Sequence, residues 1–293
     1  MHQFFQSVLV PGLADGAIYG LVAVAFATLF STTGVINFAH GQLVMLMPMA
    51  ILVAVGAGLP AWLAYVAALV VLIAVALTVE WAAVRPFVQS GQSVSWLLST
   101  LGVSVVLAEV LAVPYGGEAR NFKHGISAHR FDLIGGLRIA PAELAAVAAL
   151  FVVAGLLAAF YRRTRIGLEL RAIADDLDGA EAIGISRARA SQLAMVLSAL
   201  VAAVTGVLVA STQPVTPSLG LSYTFYGFVA TAMGGMGSIG GALVGGLVVG
   251  VATQAAGVYV GSLVVNVAVF LLLLAVYLVR PHGFFGAAPV RAV

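Results

Sequence analysis

The sequence predicts an all-α fold, a polytopic transmembrane helical bundle with eight or nine membrane segments in one domain spanning 1–293. Three observations carry this expectation. Only 8% of the residues are charged and 62% are hydrophobic, whereas a soluble chain needs about 25% charged residues to cover its surface. Apolar runs of about 17–25 residues recur, the length that crosses about 30 Å of hydrocarbon. The runs do not alternate apolar and polar residues in pieces of about ten, as barrel strands do. Mean hydropathy is +1.12, which excludes a soluble bundle. The absence of cysteine excludes disulfides and thiolate metal sites. The opening MHQFFQSVLVPGLADG has no basic n-region or small-residue cleavage pattern, so it reads as mature sequence.

The first apolar block is 8–30, interrupted by Pro11, Gly12 and Asp15. Asp15 is expected near an end, where water or headgroups reach it cheaply. A break at Ser31-Thr32-Thr33-Gly34 precedes VINFAHGQ at 35–42 and a second block at 43–58. The third, 61–79, has Trp62 and Trp81 near its ends as interfacial anchors, and Glu80 and Arg85-Pro86 are read as closing it. Residues 93–113 follow, with Glu109 either near headgroups or facing the bundle. The stretch 114–141 is polar, and HRFDLIGGLRIAP within it suggests a small hairpin around Gly135-Gly136. Residues 142–160 cross again. The remaining blocks are 190–210, 221–233, 242–257 and 262–279, with a Pro/Ser/Thr turn at 211–220 and glycines at 234–241.

Charge concentrates in 161–190, which holds six Arg and five acids, whereas Ser191–Val279 holds none. This segment has room for a short helix, a break at Ile183-Gly184-Ile185 and a second helical start. Placing 81–92, 161–190 and 280–293 on one side collects nine basic residues against four in 114–141. The positive-inside rule makes the first set cytoplasmic and 114–141 the opposite, periplasmic loop. Parity then requires four crossings between Arg189 and Arg280 and two between Arg85 and Arg162. Residues 8–79 make either three crossings, with the N-terminus outside, or two around a re-entrant segment at 31–50.

Asn37, Phe38, His40, Gly41 and Gln42 sit beside an apolar block, where irregular backbone is tolerated only inside protein or against a wet cavity. They are candidates for a translocation pathway lined by a discontinuous helix, set against an interfacial turn in which Asn37 and His40 cap a helix. No metal is expected, because His40 has no second ligand at suitable spacing. Asp175, Asp176 and Asp178 lie among arginines and read as a solvated face. Gly234, Gly235, Gly237, Gly240, Gly241 and Gly245 are read as helix-packing positions, since Gly241/Gly245 and Gly246/Gly250 recur four apart. The cluster lacks the Gly-Lys-Ser/Thr ending of an ATP-binding loop. No nucleotide site, activated nucleophile or cofactor is expected on this chain.

The stretch GLADGAIYGLVAVAFATLFSTTGVINFAHGQLVML resembles the opening of permease subunits of branched-chain amino acid ABC importers, the LivH type. The likeness continues in RPFVQSGQSVSWLLSTLGVSVVL, RTRIGLELRAIADDLDGAEAIGIS and FVATAMGGMGSIGGALVGGLVVG, and RPHGFFG resembles that family's ending, with Phe284 where Leu is usual. The resemblance implies a bacterial inner-membrane importer with a homologous second permease, two cytoplasmic ATP-binding subunits and a periplasmic substrate-binding protein, and no nucleic acid. It implies that Ala180, Glu181, Ala182, Ile183, Gly184 and Ile185 contact the ATPases, with Ala-Ile-Gly-Ile departing mildly from the usual Leu-Met-Gly-Ile, and that 37–42 belong to the translocation core. Leucine, isoleucine and valine are the expected substrates, with urea or short-chain amides as the alternative. A secondary transporter would work without ATPase partners, and a non-transport subunit would leave uptake unchanged when deleted.

A reporter fused after Ser186 is expected to read cytoplasmic and one after Ser127 periplasmic; both on one side overturns the orientation. A fusion at Gln3 decides between two and three crossings before Arg85.

Overall fold

The structure, a computed structural model, describes residues 4–88, 95–114, 116–123, 125–126, 131–132, 138–281 and 283–286. Among the described residues, seven helices are long and apolar enough to cross a membrane: α1 (Phe5–Thr33), α3 (Ala61–Val88), α4 (Ser95–Ala112), α5 (Pro141–Arg163), α8 (Arg187–Thr212), α10 (Ile239–Tyr259) and α11 (Ser262–Val279). Two shorter helices, α2 (His40–Gly56) and α9 (Leu219–Gly234), complete the bundle. Between α5 and α8 lie α6 (Arg165–Asp175) and α7 (Leu177–Ala182). The two-residue strands β1 (Phe131–Asp132) and β2 (Arg138–Ile139) pair antiparallel, as the hairpin reading expects, with Gly135-Gly136 outside the described residues.

Side-chain oxygens cap three of the helices. Thr164 accepts from Gly167 N at 2.9 Å to begin α6, Asp176 accepts from Gly179 N at 3.1 Å to begin α7, and Ser238 accepts from Gly241 N at 3.0 Å to begin α10. Each satisfies an amide that the first helical turn leaves without an intrahelical partner. At the other end of α9, Phe284 N and Phe285 N donate to Met233 O and Gly234 O at 2.8 and 2.9 Å. The RPHGFFG tail therefore closes the carbonyl end of a helix.

α1 is the central element, with 83% of its most apolar window buried against 6% for α11. It packs antiparallel to α10 along a seam of glycines. A Cβ on Gly246 would lie 2.2 Å from Cα of Gly20, and one on Gly250 2.2 Å from Cα of Gly16. The α1 side of this seam is Gly12, Gly16 and Gly20, spaced four apart. Lipid gives helices no hydrophobic reason to associate, so close backbone approach supplies much of the contact energy. α9 and α10 meet in the same way: a Cβ on Gly241 would lie 2.1 Å from Gly234 O, and one on Gly245 2.1 Å from Ala230 O.

Two of the glycines read as packing positions behave differently. Gly240 has nothing within 4 Å of a Cβ, so it makes no close approach. Gly237 meets only ordinary contacts at 3.7 Å and beyond, and is required by its φ of 83°, a conformation that costs other residues.

The α1–α10 pairing fixes direction. Ser31 lies beside Gly237 and Tyr161 OH beside Thr28 O at 3.5 Å, so the carboxyl end of α1 is at the arginine-rich end of the bundle. Its amino end meets Glu143, Thr212 and Gln254 at the opposite end. There the polar segment is tied down by Arg120 and Val215, which exchange backbone hydrogen bonds at 3.0 and 2.9 Å. Two helices, α1 and α2, thus precede α3, whose last turn holds Arg85. On α3, Trp62 and Trp81 are 68% and 67% exposed and about 28 Å apart along the axis, the placement of interfacial anchors.

Leucine at Gly241 or Gly245 is expected to cost on the order of 3 kcal/mol through overpacking and to lower both complex yield and melting temperature. Gly102, with open space around it, should accept alanine without loss. Normal yield for both leucine variants would show that the seam tolerates separation.

Candidate functional site

Gly34, with φ 68°, ends α1 in the left-handed region, and the chain reverses through 35–39 before α2 begins at His40. The residues in and beside this break are buried: Asn37 and His40 are fully enclosed and Gln42 is 2% exposed. The reversal is held locally by Asn37, whose carboxamide oxygen accepts from Ala39 N at 3.0 Å and whose backbone oxygen accepts from His40 N at 3.0 Å. Long-range contacts come from two other helices. On α8, Ser198 Oγ lies 3.2 Å from His40 Nδ1 and Met195 Sδ lies 3.9 Å from Asn37 Nδ2. On α9, Thr224 Oγ1 accepts from Gly41 N at 3.0 Å and donates to Gly220 O at 2.9 Å.

This last contact explains why Gly41 is glycine: a Cβ there would sit 1.8 Å from Gly220 O. Phe38 packs between Trp96 and Phe228, with centroids 6.3 and 5.4 Å away. Further along α2, Pro48 has no N–H for Val44 O, and Gly206 packs against that carbonyl. The polar groups of this segment are enclosed by protein, and Asn37 also makes the local cap-like hydrogen bond to Ala39 N. Two polar atoms there have no protein partner among the described residues, His40 Nε2 and Gln42 Oε1. A buried polar atom without a partner costs about 1–3 kcal/mol, so both are available to a water or a passing polar group.

A carboxylate that sequence reasoning placed at a helix end is also inside. α3 does not close at Glu80; it continues through a π-helical stretch, Glu80–Val84, to Val88. Glu80 is fully buried, with Ser191 Oγ donating to Oε1 at 2.7 Å and Oε2 without a partner among the described residues. The signal available was the acid's position directly after nineteen apolar-helix residues with Trp81 behind it. Glu109, by contrast, lies on the exposed surface near the end of α4.

At the end opposite the arginines, a cavity of about 430 Å³ is lined by Asp15, Tyr19, Glu143, Gln213, Tyr223 and Gln254, among others. Gln254 Nε2 donates to Asp15 Oδ2 at 2.6 Å, and Gln213 donates to the Tyr223 hydroxyl. The Tyr19 ring lies 4.7 Å from that of Tyr226. Asp15 thus lines a cavity ten residues into α1, level with the helix ends that carry Glu143 and Thr212.

At the arginine-rich end, α6 and α7 pack a small core of Tyr161, Leu170, Ile173, Ala180 and Ala190. Ala180 is 3% exposed and faces its own domain, so it offers no surface to a partner. Glu181, Ala182, Ile183 and Gly184 are exposed, Ile183 by 76%, and Ile185 is partly buried. Glu181 Oε1 lies 3.4 Å from Arg187 Nε, and Arg187 Nη1 donates to Val88 O at 3.0 Å, placing a cation at the carbonyl end of α3. Among the described residues no group of three or more His, Asp or Glu is arranged to hold a metal.

Residues 8–279 match the family described as "Branched-chain amino acid transport system / permease component". The high-affinity branched-chain amino acid transport system permease protein LivH of Escherichia coli (strain K12) is 31% identical, over 99% of this chain and 98% of that protein. BraD, the corresponding permease protein of Pseudomonas aeruginosa, is 30% identical over 100% and 99%. A probable LivH of Methanocaldococcus jannaschii is 26% identical over 91% and 88%. A solved structure, PsaBC from Streptococcus pneumoniae in complex with Fab, shares the fold, with TM-score 0.50 and 13% identity over 97% of this chain and 94% of that one. The buried break, the glycine seam and a family match over nearly the whole chain lead to one conclusion: this protein belongs to the family of permease components of branched-chain amino acid transport systems.

Proposed function

We propose that this chain is the membrane-spanning permease subunit of an ATP-driven importer in the bacterial inner membrane, passing leucine, isoleucine and valine delivered by a periplasmic binding protein. The observation that carries this reading is the match at 30–31% identity over essentially the full length of permeases named for those substrates. A homologous second permease would complete the pathway, and two cytoplasmic ATP-binding subunits would hydrolyse ATP.

All nine long and short helices would cross, with the amino end of α1 and the 114–141 segment periplasmic and 161–190 cytoplasmic. The short helices fit this count: α2 and α9 are about 26 and 24 Å long, and non-helical segments at 34–39 and 213–218 supply the remaining depth inside protein. Asp15, the tyrosines and the glutamines would form the outer vestibule, where an α-ammonium finds carboxylate and aromatic faces. The 37–42 segment would belong to the translocation core, offering His40 Nε2 and Gln42 Oε1.

The exposed run Glu181–Gly184 would receive the ATPase motion. Ala180 and the partly buried Ile185 anchor it to α8, so a push on Ile183 is carried by packed side chains and not lost in a mobile loop. Gly184 has φ 91° and open space around it, so a larger side chain there strains the turn by about 1–2 kcal/mol and also obstructs the partner-facing surface.

Gly184→Trp and Ile183→Glu should each leave the permease inserted and its binding-protein interaction intact, while substrate-stimulated ATP hydrolysis and uptake fall about tenfold or more. Reconstituted complexes would be assayed for ATPase retention, hydrolysis and transport together. Wild-type values in all three for both variants would place the coupling contact elsewhere. Substrate choice is read separately, by titrating the partner binding protein with leucine, isoleucine, valine, urea and acetamide. Tight binding of urea or acetamide, with none of the branched-chain amino acids, would overturn the substrate assignment.

A further inference from the structure

The arginine-rich end carries a second cavity, of about 660 Å³, bounded by the carboxyl ends of α1 and α5, the inner face of α6 and the first turn of α10. Its lining changes character with depth. Ala154, Ala158 and Arg162 follow one another four apart on α5. The cavity therefore runs about 12 Å along the helix axis, from an alanine-lined inner part to a guanidinium. Arg171 on α6 lines the same polar end, as does Asp175 one turn further on. Neither Arg162 nor Arg171 makes a hydrogen bond or ion pair with another described residue, whereas Arg187 is bonded to Val88 and paired with Glu181.

Next to the alanines of the apolar end, α5 turns an exposed face to lipid. Gly155 lies one residue from Ala154 and three from Ala158, and a Cβ there would meet nothing within 4 Å. Phe151, Val152 and Leu156 beside it are more than half exposed. Gly155 is thus a small residue on a face otherwise covered by large apolar side chains.

We propose that this cavity binds a membrane phospholipid bearing an ethanolamine headgroup. Arg162 and Arg171 hold its phosphate, Asp175 faces its ammonium, and an acyl chain lies along Gly155, Ala158 and Ala154. Guanidinium groups on two different elements converging on one space suit a phosphodiester oxygen pair, and basic pockets between helices on the positively charged side of a membrane protein are a recurrent lipid headgroup site. A carboxylate in the same polar end is complementary to a headgroup carrying both charges and opposed to one carrying only negative charge. An acidic side chain of a soluble partner would engage the arginines equally well, but it would have no use for an apolar recess reaching about 12 Å from Arg162. The assignment is independent of which amino acid the importer carries.

The experiment uses the assembled importer, delipidated in mild detergent and supplied with dioleoyl phosphatidylethanolamine or dioleoyl phosphatidylglycerol. Retained lipid is counted by native mass spectrometry, with inorganic phosphate added in a parallel arm. The wild type should retain the ethanolamine lipid at least threefold better than the glycerol lipid, and millimolar phosphate should not displace it. The pair Arg162→Gln and Arg171→Gln should lose about tenfold of both lipids, and the lysine pair should recover part of the loss. Asp175→Asn should abolish the preference without abolishing binding. Ala158→Phe, which leaves every charge in place, should also reduce retention by filling the acyl recess. Equal retention by wild type and the glutamine pair would overturn the proposal, as would equal retention of the two lipids by the wild type or displacement by free phosphate. Loss of the ATP-binding subunits from the glutamine pair with lipid retention unchanged would assign the arginines to partner docking and overturn it too.

Discussion

Backbone-to-backbone contact between α1 and α10 is the constraint on which the rest of the bundle depends. In lipid, apolar side chains gain little by leaving solvent for a neighbouring helix, so packing density and close approach must hold the helices together. Gly16 and Gly20 set against Gly246 and Gly250 bring two main chains so near that no Cβ fits on Gly16, Gly246 or Gly250. That contact sets the depth of α1, and α1 in turn presents Val22 and Phe26 to Gly227 of α9 and Ala23 O to the Thr231 hydroxyl at 3.3 Å. A helix more than four-fifths buried can act as a fixed post around which shorter, broken elements are arranged.

The shorter elements are held by polar contacts that have no alternative at that depth. Along α8, Ser191 meets Glu80, Met195 meets Asn37, Ser198 meets His40 and Gly206 meets the free carbonyl of Val44. These positions fall three, four and eight residues apart, so they lie on one stripe of the helix. A single face of α8 therefore reads both the carboxyl end of α3 and the whole start of α2. The foot of the same helix carries Ala190, packed against Ala180 of the arginine-rich segment. An inclination of α8 would be felt at the break without any loop having to move independently, which gives the proposed coupling a direct mechanical path.

Much of this architecture is legible in the chain. Scarcity of charge and the length of the apolar runs determine a helical membrane bundle, because both record how each residue partitions between water and hydrocarbon. The grouping of six arginines determines which segments share an end. Gly34 and the polar run after it determine that the first helix stops, and the fourfold spacing of Gly241, Gly245, Gly246 and Gly250 determines that a close helix contact exists. Each of these is a property of a short stretch and its solvent, so the sequence contains it directly.

Partnership is a different kind of information. The same fourfold spacing stands at Gly12, Gly16 and Gly20, yet nothing local says that this face meets Gly246 and Gly250. Gly240 shares the composition of its neighbours and borders a cavity. Ala180 and Ile183 are both apolar and three apart, and only the packing of α7 on α6 and Ala190 turns one inward and leaves the other exposed. Glu80 reads as a helix end until the π-helical stretch carries α3 onward to Val88 and Ser191 supplies its hydrogen bond. Whether 34–39 sends the chain back across or merely dips was undecidable from hydropathy, since both alternatives bury the same residues. Tertiary structure decided that the break is enclosed by protein, because it is held by Thr224 and Ser198, groups more than 150 positions away from the residues they bond.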